Sequence, residues 1–349
     1  MDRTGPVAGP PPKSSAQQEL IGAVRGFVHR YLPSPLALRP RVVASSATHA
    51  QDPPVERVCV ALSGGPDSLA LTAAAVRAGL DVTALVVDHG LQSGSARIAA
   101  EAADAARTIG ARAQVLKIDV CGPGGPEAAA RRGRYAALDA ARAGRPVLLG
   151  HTLDDQAETV LLGLGRGSGA RSLAGMADWN EPWGRPLLRV RRAQTRRACA
   201  EWGLSPWHDP HNDDPRFTRV RLRHEVLPLL DDVLHGGAAE ALARTAAQLR
   251  ADSEALDLLA ADLLDRARTP GGLDVAALAA APVALRTRAL RSWLTESGAA
   301  APSFRLTAQV EALVTDWHGQ GPIAVGGDAA ARLVIARRAG VLTCGSVDR

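Results

Sequence analysis

The sequence predicts an α/β protein built on a doubly wound parallel sheet, followed by a second, mostly helical C-terminal domain. Three observations carry this. Between positions 58 and 164, short Val- and Leu-containing runs alternate with Ala-rich helical segments, the pattern of successive right-handed strand-helix-strand crossovers. A glycine-rich turn, Ser63-Gly64-Gly65-Pro66-Asp67-Ser68, stands between the first run and the first helix of that series, where an open parallel sheet keeps its ligand site. Beyond Pro228 the alternation stops and Ala/Leu-rich helical spacing takes over.

The elements follow in order. Residues 1–17 are rich in Pro, Gly and Ser and read as a disordered leader. A helical pattern over 19–31 is ended by Pro33 and Pro35, and a polar stretch leads to Pro54. Strands are predicted over 58–62, 81–87, 113–118 and 147–150, with helices over 69–78, 95–110, 127–143 and 151–164. Residues 236–265 and 275–298 have helical spacing and are separated by the breaker Thr269-Pro270-Gly271-Gly272. In the tail, 333–336 and 341–343 suit a strand pair. The domains expected are therefore the leader, a catalytic region over 18–232 and a helical region over 233–349.

A length of 349 residues suits two domains. Hydrophobic residues are 46% and charged residues 22%, but aromatics only 3%, so the core must be built from Ala, Leu and Val. The net charge of +5 favours a polyanionic partner. Arginine gathers at 131–134, 185–197 and 216–223; such clusters suit a nucleotide or a nucleic-acid backbone, or are solvated helix faces. Cys59, Cys121, Cys199 and Cys344 contain no C-x-x-C pair, which argues against a zinc ribbon and gives no signal for an iron-sulfur cluster. They read as reduced thiols of a cytoplasmic protein. No apolar h-region follows Met1, and no apolar run reaches the roughly 18 residues that span a bilayer, so no membrane partner is expected.

In the turn 63–68, two glycines allow close backbone approach to an anion, successive N–H groups can form a nest, and the helix N-terminus adds positive potential. Asp67 beside phosphate implies an intervening Mg²⁺. The plainer alternative is a turn in which Ser68 or Asp67 caps the helix. The string has neither the lysine of G-x-x-x-x-G-K-[ST] nor the spacing of G-x-G-x-x-G. It resembles the PP-loop of the ATP pyrophosphatases, which cleave ATP between the α and β phosphates and transfer AMP to a carbonyl oxygen.

Further segments over about 56–230 resemble the tRNA(Ile)-lysidine synthetases within that superfamily. Val87-Asp88-His89-Gly90-Leu91 is similar to their V-D-H-G-L, and Glu127-Ala128-Ala129-Ala130-Arg131-Arg132-Gly133-Arg134-Tyr135 to their E-x-x-A-R-x-x-R-Y. Gly150-His151-Thr152-Leu153-Asp154-Asp155-Gln156-Ala157-Glu158-Thr159 matches G-H-x-x-D-D-Q-x-E-T. Arg166-Gly167-Ser168-Gly169 suits a loop over phosphates or tRNA, and Arg185-Pro186-Leu187-Leu188 resembles the family's R-P-L-L. Trp207-His208-Asp209-Pro210-His211-Asn212 and the stretch 218–228 resemble D-P-x-N and R-N-x-x-R-x-x-[IV]-x-P, with Val220 in place of Asn and the arginines at 219, 221 and 223 kept.

The resemblance implies a PP-loop domain followed by a helical tRNA-binding domain, with ATP, Mg²⁺, L-lysine and tRNA(Ile) bearing a CAU anticodon as ligands, and a homodimer. Nucleotide binding would fall to Ser63, Gly64, Gly65, Pro66, Asp67, Ser68, Asp88, His89, His151, Arg131 and Arg134, with Asp67 as the metal contact. Asp155 and Glu158, three apart on one helix face, would receive the lysine amine, with Glu158 a candidate base and Arg223 neutralising phosphate. Two other readings stay open: a PP-loop tRNA 2-thiolation enzyme, which needs reactive cysteines or a cluster, and a nucleotide-binding sensor without turnover. Residues 236–265 suit a dimer interface as well as tRNA.

Overall fold

The computed structural model describes residues 15–32, 56–90, 94–120, 125–167, 169–209, 213–299, 301–327 and 331–348. Expectations that fall on residues 1–14 and 33–55 and on Leu91, Cys121, Ser168, Pro210, His211 and Asn212 lie outside the described residues. The chain divides into two compact units, Met1–Ala246 and Ala247–Arg349.

In the first unit, α1 (Ala16–Tyr31) starts three residues before the apolar pattern suggests, because Ser15 caps it and accepts from the Gln18 N–H at 3.3 Å. Then come β1 (Arg57–Leu62), α2 (Pro66–Arg77), β2 (Asp81–Asp88), α3 (Ser95–Ile109), β3 (Arg112–Lys117), α4 (Gly125–Ala141), β4 (Val147–Leu148), α5 (Leu153–Gly165) and the short α6 (Ala170–Leu173). A two-stranded edge, β5 (Trp179–Asn180) and β6 (Trp183–Gly184), precedes α7 (Arg192–Glu201). Next, α8 (Thr218–Arg221) passes through a π-helical turn (Leu222–Val226) into α9 (Leu227–Val233), and α10 (Ala238–Ala267) begins in this unit and continues into the second.

The six strands are ordered β3-β2-β1-β4-β6-β5. All neighbours are parallel except β5, which runs antiparallel to β6. Apart from Arg57, β1 is buried along its whole length, as a central parallel strand covered on both faces must be. One face is covered by α1, α2, α3 and α7 through small and branched side chains such as Val24, Ala74, Ala103 and Ala198. The other packs Cys59, Leu85 and Val147 against Leu138 of α4. The chain leaves β1 toward β2 on one side and returns as β4 on the other, so a crevice opens at the carboxyl ends of β1 and β4.

The second unit is more β-rich than the helical pattern suggests. The strand pair expected near the end is present inside longer strands, β10 (Ala331–Arg338) and β11 (Val341–Asp348), with Ile335 opposite Cys344. They join β7 (Arg268–Thr269), β8 (Gly272–Asp274) and β9 (Ile323–Gly327) in a five-stranded sheet of order β7-β8-β11-β10-β9. Pro270 and Gly271, read in the sequence as a helix breaker, are the turn of the β7-β8 hairpin. The helices α11 (Val275–Ala279), α12 (Val283–Glu296) and α13 (Phe304–Thr315) share a core with this sheet, centred on Leu273, Leu290, Leu313 and Ile335. Among the described residues no helix is long and apolar enough to cross a membrane.

Candidate active site

The turn 63–65 joins β1 to α2 at the mouth of the crevice. Gly64 has φ +84°, a conformation that side chains resist, and Gly65 caps α2 with Pro66 in its first turn. The turn is held by its serines: Ser68 Oγ accepts from the Ser63 N–H at 3.1 Å and donates to Gly65 O at 3.1 Å. The Trp207 N–H donates to Gly64 O at 3.0 Å, which ties the W-H-D segment to the same loop. From β4, Gly150 closes the far side. A Cβ there would stand 3.0 Å from Ser68 N and Cα, so a larger residue would press the end of the β4 segment against the first turn of α2.

Next to this loop lies an acid cluster around one guanidinium. Thr152 caps α5 in a capping box with Asp155, whose Oδ2 accepts from the Thr152 N–H at 2.8 Å and hydroxyl at 2.7 Å. Arg192, in the first turn of α7, places its own N–H on Asp154 Oδ2 at 2.7 Å. Its side chain then donates from Nε to Asp67 Oδ2 at 3.3 Å, from Nη1 to Glu158 Oε1 at 3.3 Å and from Nη2 to Asp155 Oδ1 at 2.5 Å. The Thr195 hydroxyl, one turn later, donates to the other Asp67 oxygen.

The electrostatics follow from burial and these partners. Burial raises the Asp67 carboxyl above its ordinary value, and Thr195 and Arg192 offset this only in part. Burial acts in the same sense on Asp155, but Arg192 and the Thr152 donors outweigh it and hold that carboxyl low. Burial works against the Arg192 charge, yet Asp155, Glu158, Asp67 and Asp154 together hold it firmly protonated.

Glu158 is fully buried. Arg223 donates to it from Nε at 2.9 Å and Nη2 at 3.4 Å, and Arg219 approaches to 3.7 Å. Arg223 reaches inward from the π-helical turn, where the Leu227 N–H bonds back to Leu222 O ahead of Pro228, which has no N–H of its own. Arg221 turns outward to Glu225 at 2.8 Å. Val220, in place of the family's Asn, is buried at 7% exposure, so it packs where an amide would need partners.

A cavity of about 620 Å³ unites most of these groups. Ser63, Gly65, Pro66, Asp67, Ser68, Arg134, His151, Asp155 and Arg223 line it, and so do Arg192, Trp207 and His224. Asp88 and His89 line an adjoining cavity of about 120 Å³ that shares Ser63, Arg134 and Trp207 with the first. The Asp88 carboxyl is held low by a hydrogen bond from Ser95 and by the Gly90 N–H. Arg131 is not brought to either wall; its guanidinium lies 5.2 Å over the Tyr135 ring. Glu158 does not line the cavity either, so the expected acidic pair divides into Asp155 at the wall and Glu158 beneath it. His151 has a buried Nδ1 with no hydrogen-bond partner, and burial pushes its imidazole down to about 4.

The sequence reading missed Arg192 and Thr195. Their signal was present as R-x-x-T inside the arginine cluster 185–197, but nothing local distinguishes that arginine from its neighbours. Among the described residues no group of His, Cys, Asp and Glu could hold a metal alone. A single Asp67 carboxylate at the cavity wall does fit a Mg²⁺ shared with substrate phosphates, the usual arrangement for that ion. Cys199 is buried with its Sγ 3.4 Å from Pro66 O, and burial pushes the thiol up to about 11, the opposite of an activated nucleophile.

Comparison with known proteins shows the family. Residues 40–230 match the model of a PP-loop domain, and residues 273–342 match a TilS substrate binding domain. The tRNA(Ile)-lysidine synthase of Nocardia farcinica is 65% identical over 288 residues, covering 82% of this chain and 91% of that one. That of Rhodococcus erythropolis is 59% identical over 319 residues, 91% of this chain and 97% of the other. That of Mycobacterium tuberculosis is 57% identical over 293 residues, 82% and 90%. Among solved structures, the U34-tRNA thiolase NcsA from Methanococcus maripaludis with its [4Fe-4S] cluster shares the fold, with a TM-score of 0.50 at 16% identity, covering 67% of this chain and 79% of that one. With a PP-loop domain over more than half its length and relatives this similar across most of it, the chain belongs to the tRNA(Ile)-lysidine synthase family.

Proposed function

We propose that the protein joins the side-chain amine of L-lysine to the wobble cytidine of the CAU anticodon of tRNA(Ile), using ATP. The observation that carries this reading is the single cavity in which a glycine-cradled anion site, a lone metal-competent carboxylate and an amine-competent carboxylate stand together. In the first step the cytidine 2-carbonyl oxygen attacks the α phosphate, an O–P bond forms, and the bond to the β phosphate breaks, releasing pyrophosphate. In the second the lysine amine attacks C2, the C–O bond breaks, AMP leaves with that oxygen, and the nitrogen gives up a proton.

The chain's part is positioning and charge. The N–H groups of Gly64 and Gly65 and those of Asp67 and Ser68 at the start of α2 receive phosphate, while Arg134 and Arg223 bring positive charge to the same cavity. Asp67 would hold Mg²⁺, which when bound would neutralise the triphosphate. Asp155 receives the lysine amine, because it is the low-pKa carboxylate at the wall. Glu158 acts indirectly: clamped by arginines and wholly buried, it anchors Arg223 and Arg192 rather than serving as a base. His151, neutral at physiological pH, offers an unpaired ring nitrogen beside Asp155. The buried, high-pKa Cys199 speaks against a sulfur-transfer reading.

The test is incorporation of radiolabelled lysine, with ATP and Mg²⁺, into an isoleucine tRNA transcript bearing CAU, beside the methionine tRNA with that anticodon. Label in the first alone, lost in Asp67→Ala, supports the reading. Pyrophosphate release that depends on tRNA but leaves no label refutes lysine as the nucleophile. Sedimentation of the free protein and of its tRNA complex reads the homodimer implied by resemblance.

A further inference from the structure

We propose that Arg192 is the built-in counter-ion of this site: a positioning residue that holds Asp67 and Asp155 in one frame and is displaced from them by the cationic substrates. The inference rests on the function proposed above and deepens it.

Its ground is the state of the carboxylate oxygens. Asp67 accepts from Thr195 on Oδ1 and from Arg192 on Oδ2. Asp155 accepts from Arg192 on Oδ1 and from the Thr152 N–H and hydroxyl on Oδ2. Every oxygen thus carries a donor, and one guanidinium serves both acids. Only a rigid fork of donors can do so; an ammonium is a point charge. The acids come from different helices, Asp67 from α2 and Asp155 from α5, and Arg192 from a third, α7, so the fork also fixes three helix starts against one another.

Burying several carboxylates without a cation is expensive. With Arg192 at 9% exposure among them, they are paired and aimed before any substrate arrives. The same bonds make Arg192 a competitor. A divalent ion at Asp67 and an ammonium at Asp155 must each take an oxygen from it. Its remaining prong, on Glu158, is where Arg192 stays paired once the other two are released. Since both cations displace the same group, loss of one contact weakens the hold on the other, and the two substrates help each other bind.

Arg192→Gln and Arg192→Lys in the full chain test this, read by Mn²⁺ titration with α,β-methylene ATP, by kcat and KM for lysine, and by thermal melting. In Arg192→Gln, Mn²⁺ affinity rises and the lysine KM falls, each about three- to tenfold, while kcat drops about a hundredfold because the carboxylates lose their frame. Arg192→Lys recovers part of kcat. A mere brace would weaken both cations together with the melting temperature, and a substrate-contacting arginine would raise the lysine KM; either outcome, or unchanged Mn²⁺ affinity, overturns the proposal. Should Arg192→Gln fail to fold, Arg192→Lys carries the same measurements, since it keeps the charge but cannot hold two acids. The Mn²⁺ arm needs no lysine chemistry. Absence of lysine incorporation by the unaltered enzyme would therefore sink the proposed function and leave this test standing.

Discussion

Gly150 and Ser68 touch backbone to backbone across the crevice: a Cβ on Gly150 would lie 3.0 Å from both N and Cα of Ser68. The contact ties the end of β4 to the first turn of α2, and so sets the width of the site. Gly150→Ala should destabilise the fold by about 1–3 kcal/mol, as forced overpacking does, and weaken ATP binding at least tenfold. Urea unfolding and nucleotide titration check both, and a variant with native affinity would show that the crevice can widen freely.

Thr152 both caps α5 and donates to Asp155. Thr152→Val keeps the shape and removes the cap, at a cost of about 1–2 kcal/mol. It also removes one of the two donors on Asp155 Oδ2 and leaves the backbone N–H, so the lysine KM should change while the KM for ATP does not. Steady-state kinetics with each substrate varied separates the two.

Arg223 and Arg221 are two positions apart and point in opposite ways. Arg223→Ala leaves the fully buried Glu158 short of a partner, and should cost about 3 kcal/mol along with most of the activity. Arg221, paired with exposed Glu225, should leave the melting temperature unchanged when replaced by Ala. Equal effects on melting would contradict the π-turn geometry.

The His151 imidazole sits near pKa 4 through burial, against an ordinary 6.5. Its folded value lies below its unfolded one, so the unfolded chain takes up the proton first as pH falls. The stability this contributes is complete above about pH 6.5 and is lost on the way down to about 4, at most roughly 3 kcal/mol. Asp67, with a raised carboxyl, acts in the opposite sense above pH 3.8, so the native curve alone mixes the two. Subtracting the curve of His151→Gln isolates the His151 slope, and a flat difference between pH 7 and 4 would refute the assignment.

Burial pushes the Cys199 thiol up to about 11, which disfavours the reactive thiolate. Cys199→Ala should leave turnover within about twofold, and thiol alkylation of the native enzyme should spare it. Loss of activity in both experiments would return the sulfur-transfer reading to consideration.

The sheet, the anion loop and the acidic helix were legible because each is a local signal. Alternating apolar runs give the parallel strands, glycines with Asp67 give the loop, and the run 151–164 with Asp155 and Glu158 three apart gives α5. The β5-β6 edge and the β7-β8 hairpin were not legible, since strands of two or three residues are too short to show a period.

By itself, the sequence determined the family, through the glycine loop at 63–68 and the motifs that follow it. Only the tertiary structure decided how the site's chemistry is divided. Asp155 and Glu158 share a helix face and look alike in sequence, yet one lines the cavity and the other is sealed beneath three arginines. Arg192 reads as one of many arginines until α7 brings it between α2 and α5. Burial and ion pairing are set by residues 34 to 125 positions apart in the chain, and no local pattern encodes contacts of that range.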